Sequence, residues 1–286
     1  MAWQLTEDVE TYLAAAGDFL RACPAENTVI LTAVAAVRSR GPGAFGGSAP
    51  LFGWQAEPDG GVTAAFLHTP PFPVVLTAMT DAHAAALAAE LAARGHRPAG
   101  VNAAPEPATA FAAAWQDHTG QAARTGMLMR LYALGQLLPL YPLPPGEART
   151  ASAQDTSLLL AWLDAFHDEA GPQGPNESER LVNDRIGFGG LVLWEHHGRP
   201  VSLAARTRAA AGQARIGPVY TPPDLRGRGF GGAATVAITQ AALADGAEGV
   251  VLFTDLANPA SNTLYQRLGY RPVRDWTVLR FGTAEH

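Results

Sequence analysis

Lysine is missing from this sequence of 286 residues, in which all 20 basic residues are arginine. The Walker A phosphate loop, the strand lysine of protein kinases and the Schiff base of pyridoxal phosphate enzymes each need a lysine amine. The sequence therefore excludes these three kinds of catalytic site. The formal net charge of −6 also argues against general nucleic-acid binding, which relies on a basic face. A neutral or cationic small molecule matches this charge better.

Cysteine and long apolar runs are equally scarce. The single Cys23 excludes an internal disulfide framework and a multi-cysteine metal site, and we expect it to be a small buried hydrophobe. The helical H-E-x-x-H spacing is absent, so no metal is predicted. A segment that crosses a bilayer needs a run of about 18 uncharged apolar residues, and the sequence contains no such run. The opening residues, MAWQLTEDVE, lack the pattern of a signal peptide, so we expect a soluble, cytoplasmic protein without a membrane partner.

Prolines, in contrast, are concentrated in one place. Four of them fall between Pro139 and Pro145, a density that forbids regular helix and favours an extended connector. We predict a linker at 139–145 that separates a first domain, 1–138, from a second, 146–286. Each domain is large enough to bury its own core.

Both predicted domains end in the same order of elements: helix, glycine, short strand, proline-started helix, glycine, strand. The helices are predicted within 80–95 and 105–120 of the first domain and within 230–244 and 259–269 of the second, from their caps and glycine stops. This order indicates an internal duplication, although alanine-rich α/β segments can also converge on it.

Two elements of the second domain are predicted in more detail. The helix Phe230–Ala244 is expected to bury Val236, Ala237, Leu243 and Ala244 on one side. The nearly continuous apolar run GVVLFTDL is typical of a strand that is covered on both faces.

A basic, glycine-rich turn, RGRGFGG, lies between a strand and that helix and fits R-x-x-G-x-G through Arg226, Gly229 and Gly231. Glycines let successive backbone N–H groups converge at a helix N-terminus, where the dipole adds roughly half a positive charge. Arg226 and Arg228 add side-chain donors. A pyrophosphate suits such a concavity, because it brings several anionic oxygens to one place.

A dinucleotide-binding turn is the first alternative for this segment. Gly227, Gly229 and Gly232 satisfy G-x-G-x-x-G, and Asp255 ends the next strand. The chain that follows is too short for the remaining strands of a dinucleotide domain, and the preceding connection contains prolines. A triad hydrolase fits less well still, because Ser48 in GGSAP lacks the second glycine of a nucleophile elbow.

From Ile216 to Phe281 the sequence resembles the cofactor half of the GNAT superfamily of acyl-CoA-dependent N-acetyltransferases. The resemblance rests on VYTPPDLRGRGFGG followed by LFTDLANPASNTLYQRLGYRP. It implies an α/β protein with two GNAT-like domains, each a mixed, mostly antiparallel sheet flanked by helices. The first domain would be a degenerate copy, because LHTPPFPVVLTAMTDA lacks the arginine-glycine turn.

The same resemblance implies a site for acetyl-CoA in the second domain. Backbone groups of Val219, Tyr220 and Thr221 would pair with the pantetheine amides. The pyrophosphate would be held by the backbone amides of Arg226, Gly227, Arg228, Gly229, Phe230, Gly231 and Gly232.

The helix that follows would supply the other cofactor contacts. Asn258 would contact the pantetheine arm, with Ser261 and Asn262 nearby, although Asn258 is a helix cap in any interpretation. Tyr265 would lie by the sulfur and donate a proton to the departing thiolate. It could instead be a core aromatic residue beside Leu264 and Leu268.

Acetyl transfer to an amine by direct attack requires the neutral amine, which is only about 0.1% of a free alkylamine at pH 7. A carboxylate, a histidine or a water chain must take the proton. The helix predicted in DTSLLLAWLDAFHDEAG and the connection after it hold five candidates for acceptor binding: His167, Asp168, Glu169, Glu177 and Glu179. We select His167 and Glu169, although such a charge run is usually a solvated face. Only part of the trio Glu195, His196 and His197 can face one pocket of a strand.

The sequence thus predicts an N-acetyltransferase that acts on a small-molecule or peptide amine. It is expected to be a monomer with pseudo-dimeric domains or a homodimer. The alternative is a non-catalytic acyl-CoA-binding sensor or interaction module.

Overall fold

The computed structural model describes residues 3–46, 48–171 and 176–282. Within them lie twelve β-strands and eight α-helices. No helix in these ranges is long and apolar enough to cross a membrane. The fold is mixed α/β, with sheet strands flanked by helices, as predicted.

Two compact units share the chain. Unit 1 comprises Met1–Arg130 and Arg274–His286, and unit 2 comprises Leu131–Val273. Each predicted domain, 1–138 and 146–286, is one continuous stretch of chain. Each unit instead contains a strand segment from the other half: Arg274–His286 belongs to unit 1, and unit 2 begins at Leu131. As independent domains those halves stay a prediction.

Unit 1 begins with a strand and a helix pair and then alternates strands and helices. Its elements are β1 (Gln4–Thr6), α1 (Val9–Ala22), α2 (Thr28–Arg40), β2 (Leu51–Ala56), β3 (Val62–His68), β4 (Val74–Leu76), α3 (Asp81–Ala93), β5 (Gly100–Ala103) and α4 (Pro105–Thr119). Two further strands, β6 (Ala123–Leu134) and β12 (Tyr270–Phe281), are each divided between the units.

The sheet order in unit 1 is β1-β2-β3-β4-β5-β12. Only β4 and β5 pair in parallel, and the other pairs are antiparallel. Helix α3 begins where the Thr80 side chain accepts from the His83 amide, and α4 begins at Pro105. The aromatic rings of Phe111, Trp115 and Phe281 stack in the core beside these helices.

Unit 2 repeats the same order of elements. They are β7 (Glu147–Thr150), α5 (Thr156–Ala170), α6 (Ser178–Ile186), β8 (Leu191–His196), β9 (Arg199–Arg206), β10 (Gln213–Tyr220), α7 (Phe230–Ala244), β11 (Gly249–Asp255) and α8 (Pro259–Arg267). The strand order is β11-β10-β9-β8-β7, with β6 beside β11. Again one pair, β10 with β11, is parallel.

The strands of unit 2 alternate between two apolar layers. On β8, Val192 and Trp194 pack with α7, whereas Leu191 and Leu193 pack with α5 and α6. This period of two is what a strand covered on both faces requires. The apolar run predicted as a doubly covered strand is β11, and its prediction is confirmed.

Two details of burial were predicted wrongly. Cys23 is exposed at the end of α1, because it is the C-cap residue and lies beyond the last turn that packs on the sheet. Helix α7 has the predicted ends but only part of the predicted buried face. Val236 and Ala237 pack against the core as predicted, whereas Leu243 is 38% exposed and Ala244 is exposed. Ala234 and Ile238 are fully buried instead. Small apolar residues of α7 itself occur on all of its faces, so the sequence does not show which face is buried.

Candidate functional site

The sheet of unit 2 opens between β10 and β11. The two strands pair from Gln213↔Gly249 to Ile216↔Leu252, and the register ends there. Beyond that point β10 stays paired with β9, at Val219↔Ala204 and Tyr220↔Leu203. Val219 and Tyr220 therefore have a strand partner on one edge, and the edge towards β11 is left for another extended chain.

A bulge in β10 accompanies the opening. The register with β9 shifts between Ile216 and Val219, where Gly217 has a φ of 141°. Ala214 and Ile216 pack in the layer of α7, but Tyr220 packs in the layer of α5 and α6. One extra residue thus moves the Tyr220 side chain to the other face of the sheet, as β-bulges do.

Side chains hold the bulged strand in place. The Arg185 Nη1 of α6 donates to the Gly217 carbonyl at 2.5 Å. The fully buried Ser202 donates its hydroxyl to the Tyr220 carbonyl at 3.0 Å, and its Oγ lies 2.9 Å from Thr221 Oγ1. The end of β10 is therefore fixed from the β9 side.

The glycine turn leads from β10 into α7. Gly227 and Gly229 have φ values of 75° and 83°, which an L side chain rarely adopts, and Gly229 is the N-cap of α7. The Ala233 amide is bound to the Gly229 carbonyl at 3.0 Å. Among the residues that the structure describes, the amides of Gly227 through Gly232 donate to no backbone carbonyl. These N–H groups are therefore left for another acceptor, and their convergence on a pyrophosphate stays a prediction.

Two other glycines let α7 lie close to its neighbours. A Cβ at Gly231 would lie 3.2 Å from Thr221 Oγ1. A Cβ at Gly232 would lie 3.0 Å from Leu264 Cδ1 and 3.2 Å from Leu140 Cδ2. These glycines therefore bring the start of α7 against β10, α8 and the proline-rich segment.

The side chain of Arg226 points away from the amides of the turn and towards α5. Its Nε donates to the Thr221 carbonyl at 2.9 Å and its Nη2 to Glu169 Oε2 at 2.6 Å. The Tyr220 hydroxyl donates to the other Glu169 oxygen at 3.4 Å. Burial, followed by the Glu169 carboxylate, raises the pKa of Tyr220. The Arg228 Nη2 donates to the Asp224 carbonyl at 3.4 Å.

Helix α8 follows β11 along the chain and is capped as predicted. Asn258 Oδ1 accepts from the Ser261 amide at 3.0 Å. The side chain of Asn262 is used structurally: its Nδ2 donates to the Asp255 and Asn258 carbonyls, both at 2.8 Å. Its Oδ1 accepts from the Tyr132 hydroxyl at 2.9 Å. Asn262 and Ser261 thus shape the start of α8, and their contacts with a cofactor stay a prediction.

Tyr265 lies inside α8 and is only 8% exposed. Its ring packs edge-on to Tyr270, with centroids 6.1 Å apart. Burial raises the pKa of Tyr265 to about 12, so the hydroxyl keeps its proton at neutral pH. Within the described ranges of the chain, no hydrogen bond joins this hydroxyl to another residue. It is a protonated donor available to a ligand.

The two candidate acceptor residues do not share a face of α5. Glu169 lies beside Tyr220 and Arg226, whereas His167 lies near Asp164. Hydrogen bonds from Asn176 and Ser178, and then the charge of His167, lower the pKa of Asp164. Positions two apart on a helix point in different directions, so only Glu169 is adjacent to the splayed strand.

The trio Glu195, His196 and His197 lies at the end of β8 and in the turn after it, and its side chains have different partners. Glu195 binds Arg149 Nε at 2.7 Å. The ring of His196 lies 5.7 Å from that of Phe230 and 4.0 Å from that of His197. No group of three or more metal-ligating side chains occurs among the described residues.

Three residues of this region escaped sequence analysis: Tyr132, Leu140 and Pro144. Tyr132 supports α8, and the other two lie against the glycines of α7. They come from a strand and a linker assigned to the other half of the chain or to the connector. Only the density of proline marked that stretch.

Comparison with known proteins identifies the fold. A model of the FR47-like protein family matches residues 195–279. A GNAT-family acetyltransferase from Colwellia psychrerythraea is 11% identical over 98% of this chain and 99% of its own, with a TM-score of 0.59. This chain has the GNAT fold.

Other solved structures agree with the GNAT fold. A GCN5-related N-acetyltransferase from Sphaerobacter thermophilus is 19% identical over 81% of this chain and 79% of its own, with a TM-score of 0.56. A Drosophila protein is 11% identical over 98% of both chains, with a TM-score of 0.69. A search of curated proteins found no match. The resemblance predicted from the glycine turn and the segment after it is confirmed.

The chemistry of these residues is compatible with an acyl-CoA, the cofactor that the resemblance implies. The open edge of β10 offers backbone groups to an extended pantetheine arm. The amides at the start of α7 offer donors to a pyrophosphate, in the backbone conformation that only glycine adopts readily. Tyr265 offers a protonated hydroxyl.

Proposed function

We propose that this protein is an N-acetyltransferase that moves an acetyl group from acetyl-CoA to an amine by direct attack. One arrangement carries the proposal: a bulged strand leaves its parallel neighbour just before a glycine turn with unpaired amides. If the turn served packing alone, nothing would require β10 to lose its pairing with β11 beside it.

The cofactor would be held mainly by backbone groups. Val219, Tyr220 and Thr221 would bind the pantetheine amides, and the amides of Gly227 to Gly232 would bind the pyrophosphate. Asn258 would contact the arm from the α8 side. Bound acetyl-CoA supplies an acetyl group activated as a thioester.

Tyr265 would act on the leaving sulfur. Its pKa of about 12 lies above that of an aliphatic thiol, about 8.5. Because the tyrosine is the weaker acid, its hydroxyl would stabilise the developing thiolate through a hydrogen bond and would keep most of its proton. Such preorganised donors are worth the most where burial excludes water.

The acceptor amine would approach from the α5 side of β10. Glu169 supports this, because it is the acidic residue that contacts the end of β10 through Tyr220. Its ion pair with Arg226 neutralises it in the described state. A cationic amine that displaced Arg226 would gain a carboxylate partner and release the guanidinium towards the glycine turn, where we predicted its role.

Calorimetric titration with acetyl-CoA, followed by a panel of small and peptide amines, tests this function. We expect one site per chain with micromolar affinity and acetyl transfer well above thioester hydrolysis. No detectable binding would overturn the proposal.

A second candidate is a non-catalytic acyl-CoA-binding module. It is favoured by the engagement of Glu169 with Arg226 and Tyr220, which leaves no free carboxylate on that contact. Binding of acetyl-CoA without turnover on any amine would support it, and turnover would exclude it.

A further inference from the structure

The segment that joins β6 to β7 is anchored along unit 2. The amide of Gly135 donates to the Gly269 carbonyl at 3.1 Å, and that of Leu138 to the Leu268 carbonyl at 3.0 Å. Arg267 Nη2, at the end of α8, donates to the Tyr141 carbonyl at 3.0 Å. Trp194 Nε1 donates to the Pro145 carbonyl at 3.3 Å. We call residues 136–145 the strap, because both of its ends and its middle are fixed.

The strap borders the glycine turn. The Leu140 methyls lie 3.2 and 3.3 Å from the position that a Cβ of Gly232 would take. The ring of Pro144 lies 3.6 Å from the corresponding position at Gly229. Gly229 is the N-cap of α7. The strap therefore forms a wall beside the turn whose amides, from Gly227 to Gly232, donate to no backbone carbonyl of the described residues.

One aromatic ring stands out from this wall. Tyr141 is 84% exposed and Leu143 is 60% exposed, the highest values among the large apolar side chains of the described residues. The Tyr141 carbonyl is hydrogen-bonded to Arg267, which restricts the backbone that carries the ring. An exposed aromatic ring on a fixed backbone loses little freedom when a flat ligand covers it.

We propose that the Tyr141 ring stacks on the purine base of an acyl-CoA whose pyrophosphate is bound by the amides of Gly227 to Gly232. The inference rests on the proposed function and adds a nucleotide subsite to it. Tyr141 is three residues from Pro144 and thus within about 11 Å of it. In the nucleotide, a single ribose separates base from pyrophosphate, so a base that leaves the turn along the strap meets this ring.

The charge beside the ring fits the same ligand. Arg267 is exposed and brings its guanidinium to the Tyr141 carbonyl. The ribose of coenzyme A carries a phosphate, and guanidinium is the side chain best shaped to bind one. The subsite thus combines a face for the base with a positive charge for the phosphate.

The test compares ligands with and without the adenosine. Wild type, Tyr141→Ala, Tyr141→Phe and Leu143→Ala are titrated with acetyl-CoA, and each is titrated with acetyl-pantetheine 4′-diphosphate, which keeps the pyrophosphate and lacks the phosphorylated adenosine. We expect Tyr141→Ala to weaken acetyl-CoA binding about tenfold, as loss of one base-stacking contact does, and to leave binding of the diphosphate ligand unchanged. Tyr141→Phe keeps the ring and retains wild-type affinity. Leu143→Ala, in the same strap, is the matched control and changes neither affinity.

Two results would overturn the subsite. Unchanged acetyl-CoA affinity in Tyr141→Ala would show that the ring does not touch the ligand. An equal loss for both ligands would show that Tyr141 acts by supporting the glycine turn. Neither result affects the proposed function, which fails separately if the wild-type protein binds no acetyl-CoA.

Discussion

Gly229 and Gly246 occupy the two ends of α7 in similar backbone conformations. Their φ values are 83° and 87°, in the region that costs an L residue roughly 1–2 kcal/mol. Gly229 lies in the turn with the unpaired amides, whereas a Cβ at Gly246 would have open space around it. Substitutions at these two glycines therefore distinguish the effect of backbone strain, which both share, from the effect on ligand binding, which we expect only at Gly229.

We expect Gly229→Ala and Gly246→Ala to lower the free energy of unfolding by a similar amount, about 1 kcal/mol each. Only Gly229→Ala should weaken acetyl-CoA binding, by at least tenfold, because the alanine shifts the amides of the turn. Denaturant unfolding and calorimetric titration measure the two effects. Equal affinities in the two variants would contradict the assignment of the turn.

Tyr265→Phe is expected to bind acetyl-CoA normally and to lower kcat by about a hundredfold, the usual cost of removing one preorganised hydrogen-bond donor. Because burial raises the pKa of Tyr265 to about 12, wild-type kcat should show no loss from ionisation of this tyrosine between pH 7 and 10. Steady-state kinetics across that range checks both statements. A phenylalanine variant with full kcat would make Tyr265 a core residue.

The sequence predicted the backbone part of this site better than its side chains. Glycines at 227 and 229 indicate a turn by themselves, because only they adopt positive φ cheaply. The direction of the Arg226 side chain depends on Glu169, which is 57 positions away. The partner of a long, flexible side chain such as Arg226 depends on which residues the tertiary fold brings near, so it cannot be predicted from local sequence.

Between elements, a single arginine ties β7 to β8 and to the start of α5. Arg149 binds both Asp155 oxygens at 2.7 Å and Glu195 Oε1 at 2.7 Å. This hydrogen-bonded arginine lowers the pKa of Asp155 to about 2 from an ordinary value of 3.8. The stabilisation is present above pH 4 and is lost as the pH falls towards 2.

We expect Asp155→Asn to lower the free energy of unfolding by about 1 kcal/mol at pH 7, a modest value because Arg149 is partly solvated. Between pH 4 and 2 the variant should lose less stability than the wild type. Urea unfolding at several pH values measures the difference. Parallel pH profiles would show that the pair contributes nothing.

Elements could be predicted where one signal decided them. Helix α8 begins with a capping asparagine and a proline, and both its start and its type are predicted correctly. The opening beside β10 was not predictable from pattern alone, because it depends on where the register with β11 ends at Ile216. The burial of α7 was mistaken because alanine and glycine lie on all its sides.

For the whole molecule, the division into units bears on fragments of the chain. A fragment of residues 139–286 lacks β6, including the fully buried Tyr132 that binds Asn262 and Gln266. It also retains Trp276 and Val278, which are buried in unit 1. We expect this fragment to aggregate, because both sets of apolar surface become exposed.

Size-exclusion chromatography of the fragment, alone and co-expressed with 1–138, checks this prediction. Co-expression should restore a soluble, acetyl-CoA-binding species. A monomeric fragment that binds acetyl-CoA by itself would contradict it.

The repeated order of elements was visible in the sequence, but the placement of the last strands was not. The ends of β6 and β12 share a similar pattern, LMRLY and VLRFG. Either strand could satisfy the edge of β5 by pattern, and β12 does so from Thr277↔Ala103 to Arg280↔Gly100. Two near-equivalent strands are distinguished only by the packing of complete units.

The pairing of β12 with β5 determines the order in which the two units can be completed during synthesis on the ribosome. The first 130 residues emerge with β5 still lacking β12, its partner in unit 1. At about 5–20 residues per second, the wait for residues beyond 273 is on the order of ten seconds. Unit 2 holds all its residues before the last segment of unit 1 has been translated. The half of the protein that is made first is therefore the last to be completed, and its open strand edge needs protection in the meantime.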